Sequence, residues 1–177
     1  MAVFRNSQRI PTRKIMLLGE IGVGKTSIAR RLAFDTFDYN YKATIGSDVY
    51  TYDIKDQAGD PCFRFLVWDT DGSFGSAILQ HVYMRQAHAA LVVGDISRPS
   101  TLDAMVALAE TFYDKLPGRY IAFVINKVDL AGPTGVELPE KVRSAGLPIC
   151  TTSALTGSNI VETFHEAAET IARREGL

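Results

Sequence analysis

The sequence predicts an α/β fold, a mostly parallel sheet with helices on both faces, and three observations predict it. Apolar, β-rich runs alternate with segments of helical periodicity along the chain, the order that builds parallel sheets through crossover helices. Two of those runs, 89–93 and 120–125, are apolar without alternation, as in strands covered on both sides. Between the first strand and the first helix lies Gly19-Glu20-Ile21-Gly22-Val23-Gly24-Lys25-Thr26. A glycine-rich turn in that context cradles phosphate on backbone N–H groups and the positive end of the helix.

Residues 1–12 read as a flexible extension and 13–177 as one domain, long enough for a substantial core. The first strand covers 14–18. The helix after the phosphate loop, to residue 34, gathers Ile28, Ala29, Leu32 and Ala33 on one side. Residues 35–46 are polar and aromatic without periodicity, a loop long enough to suggest function rather than mere connection. Runs 49–55 and 62–68 are joined by turn residues and form an antiparallel hairpin. A second irregular stretch from Asp69 to about Ala77 leads into a helix ending near Ala87. Residues 101–116 place Leu102, Met105, Val106, Ala109, Phe112, Tyr113 and Leu116 at helical spacing. After the strand at 120–125 come a Gly/Pro-rich loop, a short helix near 138–144, a small strand at 147–150 and a final helix over about 158–174. That helix buries Ile160, Phe164, Ala167, Ala168 and Ile171.

Composition narrows the function classes. Apolar content of 46% and charged content of 22% are those of an ordinary soluble domain, and a formal net charge of −1 gives no support to a nucleic-acid-binding surface. Cys62 and Cys150 lie in apolar strand-like runs and are expected to be buried reduced thiols rather than a disulfide or a metal site. No stretch approaches membrane-span length, the first residues lack a signal-peptide pattern, and Ala2 stands where myristoylation needs glycine. The last residues contain no cysteine to prenylate. The expected location is cytoplasmic, or peripheral on the cytosolic face of a membrane if a lipidated tail or a partner brings it there.

The chemistry-bearing residues sit at strand ends. Lys25 can reach the outer phosphates of a nucleoside triphosphate, and the Thr26 hydroxyl can ligate Mg²⁺. Asp69 can hold Mg²⁺ through a water, Thr44 can complete the metal shell, and the Gly72 N–H can sense a γ-phosphate. In Asn126-Lys127-Val128-Asp129, a carboxylate can accept from both the ring N–H and the exocyclic amine of guanine. Adenine would leave Asp129 unpaired, which is costly. Thr152-Ser153-Ala154-Leu155 can offer a backbone N–H to the guanine carbonyl, and Phe37 can lie edge-on against the ring.

With these residues in view the chain resembles a Ras-superfamily small GTPase, most like the Rab branch. The stretches GEIGVGKT, YKATIG, WDTDG, AHAALVVGDI, NKVD and TSA carry the resemblance over about residues 13–172. It implies a P-loop NTPase small G domain, with a six-stranded mostly parallel sheet, one antiparallel edge strand and five helices on both faces. It implies GTP or GDP bound with Mg²⁺ on Thr26, Thr44 and Asp69. Nucleotide contacts are implied at Glu20, Ile21, Gly22, Val23, Gly24, Lys25, Thr26, Ser27, Phe37, Tyr41, Thr44, Gly72, Asn126, Lys127, Asp129, Ser153, Ala154 and Leu155. Two switch loops are implied, around Thr44 and from Asp69 to about Tyr83. So are an exchange factor, an activating protein and effectors meeting Trp68, Tyr83 and Val49, where a phenylalanine is usual at the last. The implied role is a monomeric molecular switch that hydrolyses GTP, in vesicle trafficking or signalling.

The chain departs from that pattern on the γ-phosphate side. The family reads Asp-Thr-Ala-Gly-Gln where this chain reads Asp69-Thr70-Asp71-Gly72-Ser73. Ser73 is too short to orient the attacking water as glutamine does, so slow intrinsic hydrolysis by Lys25, Gly72, Ser73 and Asp71 is expected. Asp71 adds negative charge near the γ-phosphate, and Ile21 adds bulk where a small residue is usual. His81 reads as an exposed helix residue rather than a surrogate. These departures leave open a second reading, a non-cycling GTP-binding subunit with a structural or assembly role.

Overall fold

In a computed structural model of the chain, the described residues are 10–40, 44, 46–71, 83–132 and 137–177. Their elements run β1 (Thr12–Leu18), α1 (Lys25–Phe34), β2 (Ser47–Lys55), β3 (Pro61–Thr70), β4 (Ala87–Asp95), α2 (Pro99–Lys115), β5 (Tyr120–Asn126), α3 (Glu140–Arg143), β6 (Ile149–Thr151) and α4 (Ile160–Glu175). The six strands form one sheet in the order β2-β3-β1-β4-β5-β6. Every pairing is parallel except the β2–β3 hairpin at the edge. The chain leaves β1 towards β3 and returns across it to β4, so the carboxyl end of β1 is the topological switch point.

Strand alternation splits the core in two. Ile15 and Leu17 of β1 pack on one face with Ile28 and Leu32 of α1 and with Phe164 and Ile171 of α4. Met16 and Leu18 pack on the other with Leu102, Met105 and Phe112 of α2 and Val142 of α3. All seven residues of β5 are buried, which explains its unbroken apolar sequence.

Several expectations are corrected. Four α-helices, not five, are found among the described residues. Much of the helix expected between about Ala77 and Ala87 lies outside the described residues, as does His81. Its described end is helical at Tyr83 and Met84, after which the chain turns at Arg85–Gln86, Gln86 has φ 59°, and Ala87 pairs with Lys14 as the first residue of β4. Cys62 and Cys150 are free thiols, but Cys62 is exposed and Cys150 half-buried. Period 2 turns Cys62 away from Phe63 and Phe65, near the hairpin turn where only one face of the sheet is covered. Tyr113, counted on the inner stripe of α2, is exposed, because Ala109 and Phe112 already complete that stripe.

Candidate functional site

The parallel strands end together, and the sequence-predicted residues follow those ends. The phosphate loop follows β1, Asp69 and Asp71 lie at the end of β3, Asn126–Asp129 close β5, and Thr152–Leu155 follow β6. A cleft of about 710 Å³ opens there, lined by Ile21, Gly22, Gly24, Lys25, Thr26, Ser27, Phe37, Thr44, Asp71, Asn126, Lys127, Asp129, Ala154 and Leu155. Val23 and Ser153 are wholly buried behind that lining, and Glu20 contributes its carbonyl. Tyr41, Gly72 and Ser73 lie outside the described residues.

The phosphate loop is held from both sides. Lys25 is 6% exposed, and its Nζ donates to the Gly19 and Glu20 carbonyls at 2.8 and 3.0 Å. Burial pulls its ammonium down to about 8 against the opposing fields of Asp69 and Asp71. Gly24 has φ 101°, and a Cβ there would run into the Asn126 amide, so this position requires glycine. Asn126 Nδ2 donates to the Val23 carbonyl at 3.0 Å, while its Oδ1 accepts from Thr152 Oγ1 and the Ala154 N–H, each at 3.2 Å. One buried amide thus ties the loop to the segment after β6.

The three candidate metal residues meet. Thr26 Oγ1 donates to Asp69 Oδ2 at 2.6 Å and lies 2.8 Å from Thr44 Oγ1. Asp69 is fully buried, its other oxygen Oδ1 has no hydrogen-bond partner among the described residues, and burial raises its pKa despite the Thr26 bond and the Lys25 field. An orphaned carboxylate oxygen beside two hydroxyls is an all-oxygen set that fits a hard dication such as Mg²⁺.

At the other end of the cleft, Asp129 Oδ1 accepts a short hydrogen bond from Ser153 Oγ, which also accepts the Thr156 N–H at 3.2 Å. The exposed carboxylate is therefore oriented by a buried hydroxyl. Phe37 is half-buried, packs partly on the first core and lines the same cleft. Asp71 is tied to the end of the first loop by its N–H to the Gly46 carbonyl at 3.0 Å. Ile21 is 54% exposed at the cleft wall. Away from the cleft, Trp68 and Tyr83 stand with ring centroids 6.1 Å apart, the Lys14 ammonium lies 3.7 Å from the Trp68 ring, and Val49, opposite Trp68 in the hairpin, is exposed.

Sequence reasoning missed three residues. Asp95 is buried at the end of β4, and its Oδ2 takes Lys127 Nζ at 2.6 Å and Arg98 Nε at 3.2 Å. Those cations also hold the phosphate loop from outside, Lys127 at the Gly22 carbonyl and Arg98 at the Ile21 carbonyl, both at 2.8 Å. Burial pushes Asp95 up, but bonds from Lys127 and Ser97 outweigh it and hold the carboxyl below the ordinary range. Arg31 of α1 reaches the Ala154 and Leu155 carbonyls. A carboxylate closing an apolar strand was the available signal for Asp95; an arginine on an amphipathic helix offers none.

The Ras family profile matches residues 14–173. Ras-related protein Rab-31 of Rattus norvegicus is 34% identical over 155 residues, 85% of this chain and 78% of that protein. Ras-related protein Rab-34 of Homo sapiens is 32% identical over 162 residues, 88% of this chain but 62% of that protein.

Proposed function

The chain belongs to the Ras family of small GTPases, and on that premise we propose that it is a guanine-nucleotide-dependent switch with slow intrinsic hydrolysis. The observation that carries the reading is the contact of Thr26 with both Thr44 and Asp69 beside an orphaned Asp69 oxygen. It joins the phosphate loop, the first loop and the end of β3 at one point, as a nucleotide-sensing site requires.

The residues divide the work by chemistry. Backbone N–H groups from Gly22 to Thr26 and the Lys25 ammonium bind the phosphates, Asp129 takes the two donors of guanine, and Asn126 keeps the two ends in register. Thr26, Thr44 and Asp69 would hold Mg²⁺, which when bound neutralises charge developing on the β- and γ-phosphate oxygens. Hydrolysis in this class rests on positioning and electrostatics. Ser73 in place of a water-orienting glutamine predicts a loss on the order of 10²–10³-fold, and Ile21 narrows the approach for a partner's arginine. Trp68, Tyr83 and Val49 form the proposed effector surface, with exchange and activating proteins as further partners. The proposed setting is vesicle trafficking or signalling, on the cytosolic side.

The test is identification of the nucleotide carried by the purified protein, followed by single-turnover hydrolysis with Mg²⁺. Guanine nucleotide with slow hydrolysis that an activating protein accelerates supports the switch. Guanine nucleotide that no activating protein turns over favours the non-cycling subunit, and adenine nucleotide rejects both.

A further inference from the structure

Arg31 projects from α1, the helix that follows the phosphate loop, into the turn after β6, and its side chain is 16% exposed. Its Nε donates to the Ala154 carbonyl at 3.0 Å and its Nη2 to the Leu155 carbonyl at 2.7 Å. Nη1 is occupied at the end of the same helix, by the Asp35 carbonyl at 3.0 Å and Asp35 Oδ1 at 3.1 Å. The turn packs against the Arg31 side chain. Gly157 donates its N–H to the Ser153 carbonyl at 2.8 Å, and at φ +84° a Cβ on Gly157 would touch Arg31 Cδ at 3.6 Å.

These bonds fix which way a peptide faces. The described chain contains no cis peptide bond, so the carbonyl of Ala154 and the N–H of Leu155 point in opposite directions. A carbonyl held by Arg31 turns the Leu155 N–H away from the guanidinium, and Leu155 itself lines the cleft. The Ala154 N–H is itself engaged by Asn126 Oδ1. We propose that Arg31 is a positioning residue for base selection, aiming the backbone donor of the 154–155 turn at the carbonyl edge of guanine. This inference rests on the guanine-nucleotide reading above. Asp129 reads the opposite, amino edge of the base and is oriented by the Ser153 hydroxyl, whereas Arg31 bonds only the Ala154 and Leu155 carbonyls of this turn, so its effect is expected at the carbonyl edge. The planar fork spans two successive carbonyls, which a lysine ammonium cannot do.

Two analogues separate the edges. 6-Thioguanosine diphosphate weakens the acceptor at the carbonyl edge, and inosine diphosphate lacks the exocyclic amine. Affinities of the whole chain for both, relative to GDP, are measured in the wild type, Arg31→Ala and Arg31→Lys. The wild type is expected to disfavour the thio analogue about tenfold, the scale of one aimed donor. In Arg31→Ala that penalty shrinks to twofold or less, while the inosine penalty is unchanged. Arg31→Lys, which keeps the charge and protects against a folding failure of the alanine variant, falls between. A thio penalty absent from the wild type, or retained in both variants, overturns the proposal. So does a loss in which both penalties shrink together, because that is general loosening. A wild type without guanine-nucleotide affinity rejects the underlying reading and this one with it.

Discussion

At the residue scale, Asp71 is the most consequential departure. It lines the cleft, and its carboxylate raises the pKa of Lys25, so its charge is felt where phosphate would lie. Two unit charges about 5 Å apart repel by roughly 3 kcal/mol at an effective dielectric near 20, before any dication screens them. Asp71→Ala is therefore expected to raise the GTP:GDP affinity ratio by about tenfold or more. Equilibrium titration of both nucleotides measures it, and an unchanged ratio rejects the repulsion account. Asp71 was legible because it breaks a motif, as were Lys25, Thr26 and Asp129, whose chemistry is tied to a fixed spacing. Arg31 and Arg98 were not, because they act on carbonyls far away in sequence. Cys62 was misjudged because an apolar run shows that a strand exists, not which of its faces is covered.

At the element scale, β4 and β5 were read from their apolar runs, and the hairpin from its turn residues. Their ends were not. β4 begins two residues before the apolar run at 89–93 and continues through Gly94 to Asp95, a carboxylate that pattern alone would assign to a loop. Asp95 is the knot between β4, β5, α2 and the phosphate loop, through Lys127 and Arg98. Asp95→Asn removes the charge while keeping the shape, and leaves two cations without their common carboxylate. It is expected to cost about 3 kcal/mol in urea unfolding and to speed nucleotide release. The cost should depend on pH in one direction. Asp95 titrates lower folded than unfolded, so its contribution is present above the ordinary carboxylate value of 3.8 and is lost as pH falls through the depressed folded value. A wild-type advantage over Asp95→Asn that vanishes at neutral pH would show that the cations hold the loop without it.

At the scale of the whole molecule, the parallel strand ends gather the described nucleotide and metal candidates at one cleft, as the strand–helix order in the sequence implied, while Trp68, Tyr83 and Val49 lie away from it. Sequence could not indicate how that cleft communicates with the surface around Trp68, since this depends on which side chains meet across strands. Trp68 makes the link testable. It is the chain's single tryptophan, directly before Asp69, paired with Met16 of β1 and Val49 of β2, beneath the Lys14 ammonium and beside Tyr83. Lys14 Nζ also donates to the Tyr83 carbonyl, so a shift of the segment carrying Tyr83 must move the cation over the indole. Exchanging GDP for a non-hydrolysable GTP analogue is therefore expected to change the intrinsic fluorescence, and Lys14→Met to reduce the change while leaving nucleotide affinity intact. An emission spectrum identical in the two nucleotide states would reject a switch that reaches this surface. The same signal times the chemistry. A glutamine-bearing small GTPase hydrolyses its nucleotide with a half-life of roughly half an hour, and a further 10²-fold loss stretches that to about two days. Protein loaded with GTP and Mg²⁺ should thus hold its GTP-state emission through a day at 25 °C. Decay within the first hour would mean that Asp71 or another group at this cleft positions the water in place of the missing glutamine.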